Sequence, residues 1–183
     1  GCTALLLTGL GLSDAINDII DKQFGEITKY NATIVTDEDL DAADEARLDE
    51  VLGKTGYVSD SMRIMRANMV ANAGGDEMHV QTVVPQDPAA LGDFVLMRTR
   101  VGHVPLELGQ DGIVLAEKLA NELGVDAGDT VTLCEQDAMG NATGEAHELV
   151  VTGVMENYIY NYVFMGPHAY EQAWGEEPAF DAV

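Results

Sequence analysis

The chain has 183 residues, is 46% hydrophobic and carries 32 acidic against 9 basic residues, a formal net charge of -23. Its length and apolar content suit one folded domain or two small lobes, and exclude an acidic disordered tail. The charge argues against DNA, RNA and peripheral membrane binding, leaves cationic peptides and divalent cations admissible, and in its simplest reading is a solvated coat.

From Thr3 to Leu12 the chain has no charge. Such a run is about 15 Å long as a helix, half of what spans a bilayer, and it has no basic flank of the signal-peptide kind. With Leu5, Leu6, Leu7 and Leu10 it reads as the outer end of a truncated transmembrane helix, and both ends of the chain read as cuts in something longer. An amphipathic helix follows. Leu12, Ile16, Ile19, Ile20, Phe24 and Ile27 repeat at helical spacing, with Asp14, Asp18, Asp21 and Lys22 opposite. Gly25 is the first position at which a displacement of this helix would be absorbed.

Residues 29–36 then read as a strand. Thr36 to Asp39 open a helix carrying Leu40, Ala43, Leu48, Val51 and Leu52, which Gly53 ends. In residues 57–72 Met62 and Ile64 share one parity and Met65, Ala67 and Met69 the other, which predicts a long strand with a bulge near Ile64. Ala73-Gly74-Gly75-Asp76 turns it into a hairpin. After a loop from Asp87 to Asp93, residues 94–100 read as a strand, and Gly102, Pro105 and Gly109 break the chain repeatedly. Residues 112–135 are the most legible unit: a short strand, a helix with Leu115, Leu119 and Leu123 closed by Gly124, a turn at Ala127-Gly128-Asp129, and a strand. A loop from Asp137 to Gly144, an apolar strand pair over 147–165 and a short helix from Pro167 complete the order.

Searches for chemistry return little. Ser13, Ser59 and Ser61 lie in no G-x-S-x-G elbow, and Cys2 and Cys134 have no electropositive setting and form no disulfide framework. His79, His103, His147 and His168 never pair at i+3 or i+4, and no dinucleotide or phosphate loop is present. The acidic run from Asp37 fails the EF-hand template at Ala42 and Leu48. No catalytic residue, cofactor or metal site is therefore expected. Tyr158, Tyr160, Tyr162 and Phe164 recur with a period of two, which puts four rings on one face of a strand. Internal packing of that face is the simpler reading; a candidate interaction surface is the other.

Three stretches, taken in order, resemble FtsX-like (MacB-type) ABC transporter permeases. GCTALLLTGLGLSDAINDIIDKQFGEI is similar to the end of their first transmembrane helix and its exit. GIVLAEKLANELGVDAGDTVTL and VTGVMENYIYNYVFMGPHAYEQAWG are similar to two segments of their extracytoplasmic core domain. The resemblance implies an α+β fold with two lobes. Residues 1–12 would be the membrane stub, 13–86 and 149–183 a porter-like lobe, and 87–148 a smaller, β-rich inserted lobe. It implies no enzymatic activity and no cofactor. The partners implied are a cytoplasmic ATP-binding subunit, reached through membrane helices, and a second permease subunit, with the membrane itself met through residues 1–12. The place implied is the outer face of a cell membrane, in a Gram-positive bacterium because the domain is short for adaptor docking. The function implied is coupling of ATP hydrolysis to export or to extracytoplasmic signalling. The alternative is a free-standing secreted or lipid-anchored acidic module that binds cationic peptides.

Overall fold

The computed structural model describes residues 15–36 and 42–183, so Leu5, Leu6, Leu7 and Leu10 lie outside the described residues. Its centre is the hairpin of β1 (Ile64–Ala73) and β2 (Asp76–Pro85), paired without interruption from Ile64 opposite Pro85 to Ala73 opposite Asp76. Gly74 and Gly75 close it with φ of 64° and 103°. A two-residue turn that matches strand twist needs positive φ at both positions, which glycine adopts without steric cost.

The remaining strands are β3 (Ile113–Ala116), β4 (Thr130–Gln136), β5 (Ala142–Val150), β6 (Gly153–Met155) and β7 (Tyr162–Met165). With the hairpin they form one mixed sheet in the order β5-β4-β1-β2-β7-β3-β6, in which β2–β7 and β3–β6 are parallel and the other pairs antiparallel. Around it lie helix α1 (residues 15–22), which continues into a π-helix at Gln23–Ile27, then α2 (Ala42–Lys54), α3 (Leu91–Phe94), α4 (Glu117–Leu123) and α5 (Pro167–Trp174). The fold is α+β. Among the described residues no helix is long and apolar enough to cross a membrane.

Both faces of the sheet are covered. One carries Met65, Met69, Val84, Leu115 and Met165 against Leu119, Leu123 and Tyr170 of α4 and α5. The other carries Val83, Val114 and Phe164 against Ile27, Leu91, Val95 and Met97. This removes the expected bulge near Ile64: apolar residues of both parities are accommodated because each has a core to enter. The register shift lies instead between Leu133 and Glu135, where β4 meets β5.

Two segments expected as strands are covering segments. Residues 28–36 touch the ladder only at Thr28 opposite Val95 and Val35 opposite Ala182, and residues 95–105 only there and at Arg98 opposite Pro105. Leu96 N–H donates to Ile27 at 2.8 Å and Lys29 N–H to Phe94 at 2.9 Å, so the two segments bond to each other across the sheet face. Val95 and Met97 are buried against it, whereas Tyr30, Ile34 and Val35 are exposed. Residues 181–183 run beside 34–36, with Thr36 N–H to Asp181 and Ile34 N–H to Val183 both at 2.8 Å.

At Gly166 the chain passes so close to the turn at 109–112 that a Cβ would fall on the carbonyl oxygens of Gly109 and Gln110. Gly166→Ala is expected to cost about 3 kcal/mol in urea unfolding, since neither backbone oxygen can rotate away. A variant as stable as the wild type would mean that this turn yields freely.

Candidate functional site at the root of the leading helix

All residues of α1 from 15 to 22 are exposed, although Ile16, Ile19 and Ile20 with Phe24 form an apolar stripe at helical spacing. The apolar stripe of the helix is therefore left uncovered among the described residues, and at its inner end Lys22 Nζ sits over the Tyr158 ring, 6.0 Å from the centroid. At Gln23–Ile27 it widens into the π-helix, a form that accommodates local irregularity and recurs at functional sites. There it enters the protein: Gln23 is 3% and Ile27 1% exposed. Gly25 sits between these two anchored positions.

A polar knot holds this root. Arg98 Nε donates to Glu156 Oε2 at 2.7 Å and Arg98 Nη2 to Glu26 Oε2 at 2.8 Å. The Tyr158 hydroxyl donates to Glu156 Oε1 at 2.5 Å, and the Tyr158 N–H donates to Gln23 Oε1 at 2.9 Å. Gln23 Nε2 closes back on Thr28 Oγ1 at 3.2 Å. Glu156 is 2% exposed, which alone would push its carboxyl pKa up; the Tyr158 hydroxyl and the Arg98 guanidinium outweigh burial and hold it below the ordinary value. Burial and the same carboxylate push the Tyr158 hydroxyl up to about 12. The Arg98 pKa is raised by its bonds to Glu156 and Glu26.

These shifts set a pH dependence. A carboxyl with a depressed native pKa stabilises the fold fully above its unfolded value, about 4.3 for Glu, and loses that contribution as pH falls through the native value. In thermal melts from about pH 7 to about pH 2.5, the wild type is expected to exceed Glu156→Gln in stability above about pH 4.3, the margin closing only below it. A margin already lost near neutral pH would assign the effect to another group.

Residues 157–161 leave the sheet after Glu156, so β7 begins only at Tyr162 and the period-two reading fits half of the aromatic run. Tyr158 belongs to the knot. Tyr160, which is exposed, packs its ring 5.6 Å from Tyr162, which lies 5.5 Å from the buried Phe164. These three rings border an open groove of about 1100 Å³ that also reaches Phe24, Tyr30 and Ile34. Burial and the neighbouring Tyr30 push the Tyr162 hydroxyl pKa up. Thr82 Oγ1, Asn157 Oδ1 and Asn161 Oδ1 are buried without a hydrogen-bond partner.

The floor of the groove follows from register. Arg66 lies opposite Val83, which lies opposite Phe164; one row along, Asn68 lies opposite Gln81, which lies opposite Tyr162. The apolar row continues under the covering segments, and the polar row is left open. Elsewhere, His168 Nδ1 meets Asp111 at 2.6 Å, His79 meets Gln136 at 3.1 Å and His147 stacks obliquely on Trp174. The described residues hold no group of three side chains suited to a metal ion. The Cys134 thiol bonds the Val70 carbonyl, and burial pushes its pKa up.

Sequence reasoning missed the knot. Its signal was present: Glu156 is the lone charge in VVTGVMENY, and Arg98 directly follows the apolar FVLM, settings where an ionised side chain needs a partner from elsewhere.

No family model and no curated protein matches the chain. Among solved structures, it is similar to the extracellular domain of the noncanonic ABC-type transporter YknZ from Gram-positive bacteria, with a TM-score of 0.49 and 11% identity over 73% of this chain and 67% of that one. It is also similar to the periplasmic region of MacB from Actinobacillus actinomycetemcomitans, with a TM-score of 0.48 and 11% identity over 82% of this chain and 71% of that one. MacB-type permeases are the family that the three sequence stretches resemble.

Proposed function

We propose that the chain is the extracytoplasmic domain of an ABC transporter permease of the FtsX-like kind, and that it transmits movement of a membrane helix to structures outside the membrane. The observation that carries the reading is helix α1, whose apolar stripe is exposed from 15 to 22 and which is rooted in the domain from Gln23 onward, with Lys22 over the Tyr158 ring at the junction. A helix that served only as part of the core would lay its apolar stripe on it; this one extends that stripe away from the domain and spends its contacts at one end. Residues 181–183 return beside 34–36, so the last described residues lie beside the segment that follows this root. The domain performs no chemistry of its own. Its work is done by rigid coupling to a cytoplasmic ATP-binding subunit through membrane helices, with a second permease subunit alongside. A Gram-positive membrane, facing outward, is the setting that the sequence resemblance supports, and export or signalling is the output.

The test uses the full-length protein in intact cells. A cysteine at Asp126, on the exposed turn after α4, is expected to react with a membrane-impermeant maleimide, and an ATP-binding subunit is expected to co-purify. A protein found free in the medium with no such partner would overturn this reading and favour the secreted acidic binding module.

A further inference from the structure

In a chain with 32 acidic residues, one arginine side chain has no ion pair among the described residues; the Asp181 carboxylate accepts only from its backbone N–H, at 3.3 Å. Arg47 pairs with Asp44, Arg63 with Glu45 and Asp49, Arg98 with Glu26 and Glu156, and Arg100 with Glu117. Arg66 is partly buried, has no ion-pair partner among the described residues, and lines the groove. The register places it at the β1 end of the row through Val83 and Phe164, beside Asn68 and diagonal to Gln81, where that row meets the open one. A guanidinium in such a place lacks its usual compensation, and its planar fork matches an oxygen anion two bonds at a time.

We propose that this groove binds an amphiphile with a single carboxylate, anchored on Arg66, with its apolar body along Tyr160, Phe24 and Ile34. Three features select that chemistry. The guanidinium requires an anion. A net charge of -23 repels multiply charged ligands, which disfavours phosphate dianions and nucleic acids relative to a monoanion. The exposed rings and aliphatic side chains along the rim leave an apolar surface that an inorganic anion would not cover. The groove is also large enough for a ligand of this class, since small-molecule sites span about 300 to 1000 Å³. The aromatic ladder thus has a ligand role at Tyr160 and Tyr162, with Phe164 as its buried floor. The site does not depend on the transport reading: a secreted binding module would use it in the same way.

Calorimetric titration of the chain with dodecanoate, kept below its micelle concentration, tests the proposal. Binding is expected in the wild type, with affinity reduced at least about tenfold in Arg66→Gln and by less in Arg66→Lys, which keeps the charge and loses the fork. Tyr160→Ala, a surface change that leaves the charge in place, is expected to weaken dodecanoate by removing ring contact. Far- and near-UV circular dichroism superimposable on the wild type shows that each variant is folded. Dodecyltrimethylammonium is expected to bind more weakly than dodecanoate and to be indifferent to Arg66→Gln. No dodecanoate binding, equal affinity in wild type and Arg66→Gln, or stronger binding of the ammonium would overturn the proposal. Tighter binding of dodecyl phosphate than of dodecanoate would overturn the choice of a single carboxylate.

Discussion

Arg98→Ala is expected to destabilise the protein by about 3 kcal/mol, because it strands a carboxylate in the interior. Glu156 is 2% exposed, and its two oxygens are held by Arg98 and Tyr158 alone among the described residues. Removing the guanidinium leaves one oxygen without a donor and the charge without compensation. The arm to Glu26 adds little to this figure, since that side chain is half exposed and screened by solvent. Urea unfolding measures the loss. The double variant Arg98→Ala with Glu156→Gln is expected to recover part of it, because a neutral amide costs less to bury than an unpaired carboxylate. Equal losses in the single and double variants would mean that the ion pair is not what holds this root.

Loss of coupling is the second large effect. In the full-length protein, read as the transporter proposed above, a four-residue Gly-Ser insertion after Leu12 is expected to reduce transport at least about tenfold while basal ATP hydrolysis changes by less than about twofold. The insertion lies outside the root, so α1, the π-helix and the polar knot stay intact. What it removes is the rigid connection to the membrane on which the proposed function depends. Ile27 and Gln23 are fixed in the domain by burial, by the bond from Leu96 N–H and by the bond from Tyr158 N–H, so a rigid helix moves the sheet with it. Transport that survived the insertion unchanged would make the domain a passive binding module.

The elements that the sequence revealed are those whose signals are local. Gly74-Gly75 announces the β1–β2 hairpin, and Gly124 in the left-handed region closes α4 after Leu119 and Leu123. The class, α+β, comes from the family resemblance, and the mixed sheet with its helices agrees with it. What the sequence hid depends on distant partners. Residues 29–36 and 94–100 have the composition of strands, and only their distant pairing, Leu96 with Ile27 and Lys29 with Phe94, makes them covering segments instead. The knot joins Arg98 to residues 72 and 58 positions away and Tyr158 to one 135 positions away, separations that periodicity cannot register. The aromatic run was legible as one face over Tyr162 and Phe164. It fails at Tyr158, which lies in the irregular stretch between β6 and β7 and bonds to Glu156. Arg66 looked like any strand-borne charge until the pairing of the other arginines set it apart.

The central claim is that α1 carries membrane movement into this domain. Its most direct measurement is the distance between spin labels at Asp126 in two permease subunits of the full-length transporter, recorded with and without a non-hydrolysable ATP analogue. The account predicts a shift of several ångströms on nucleotide binding, abolished by the Gly-Ser insertion after Leu12. A distance distribution that stays the same in both states, in a transporter that still moves its substrate, would contradict it.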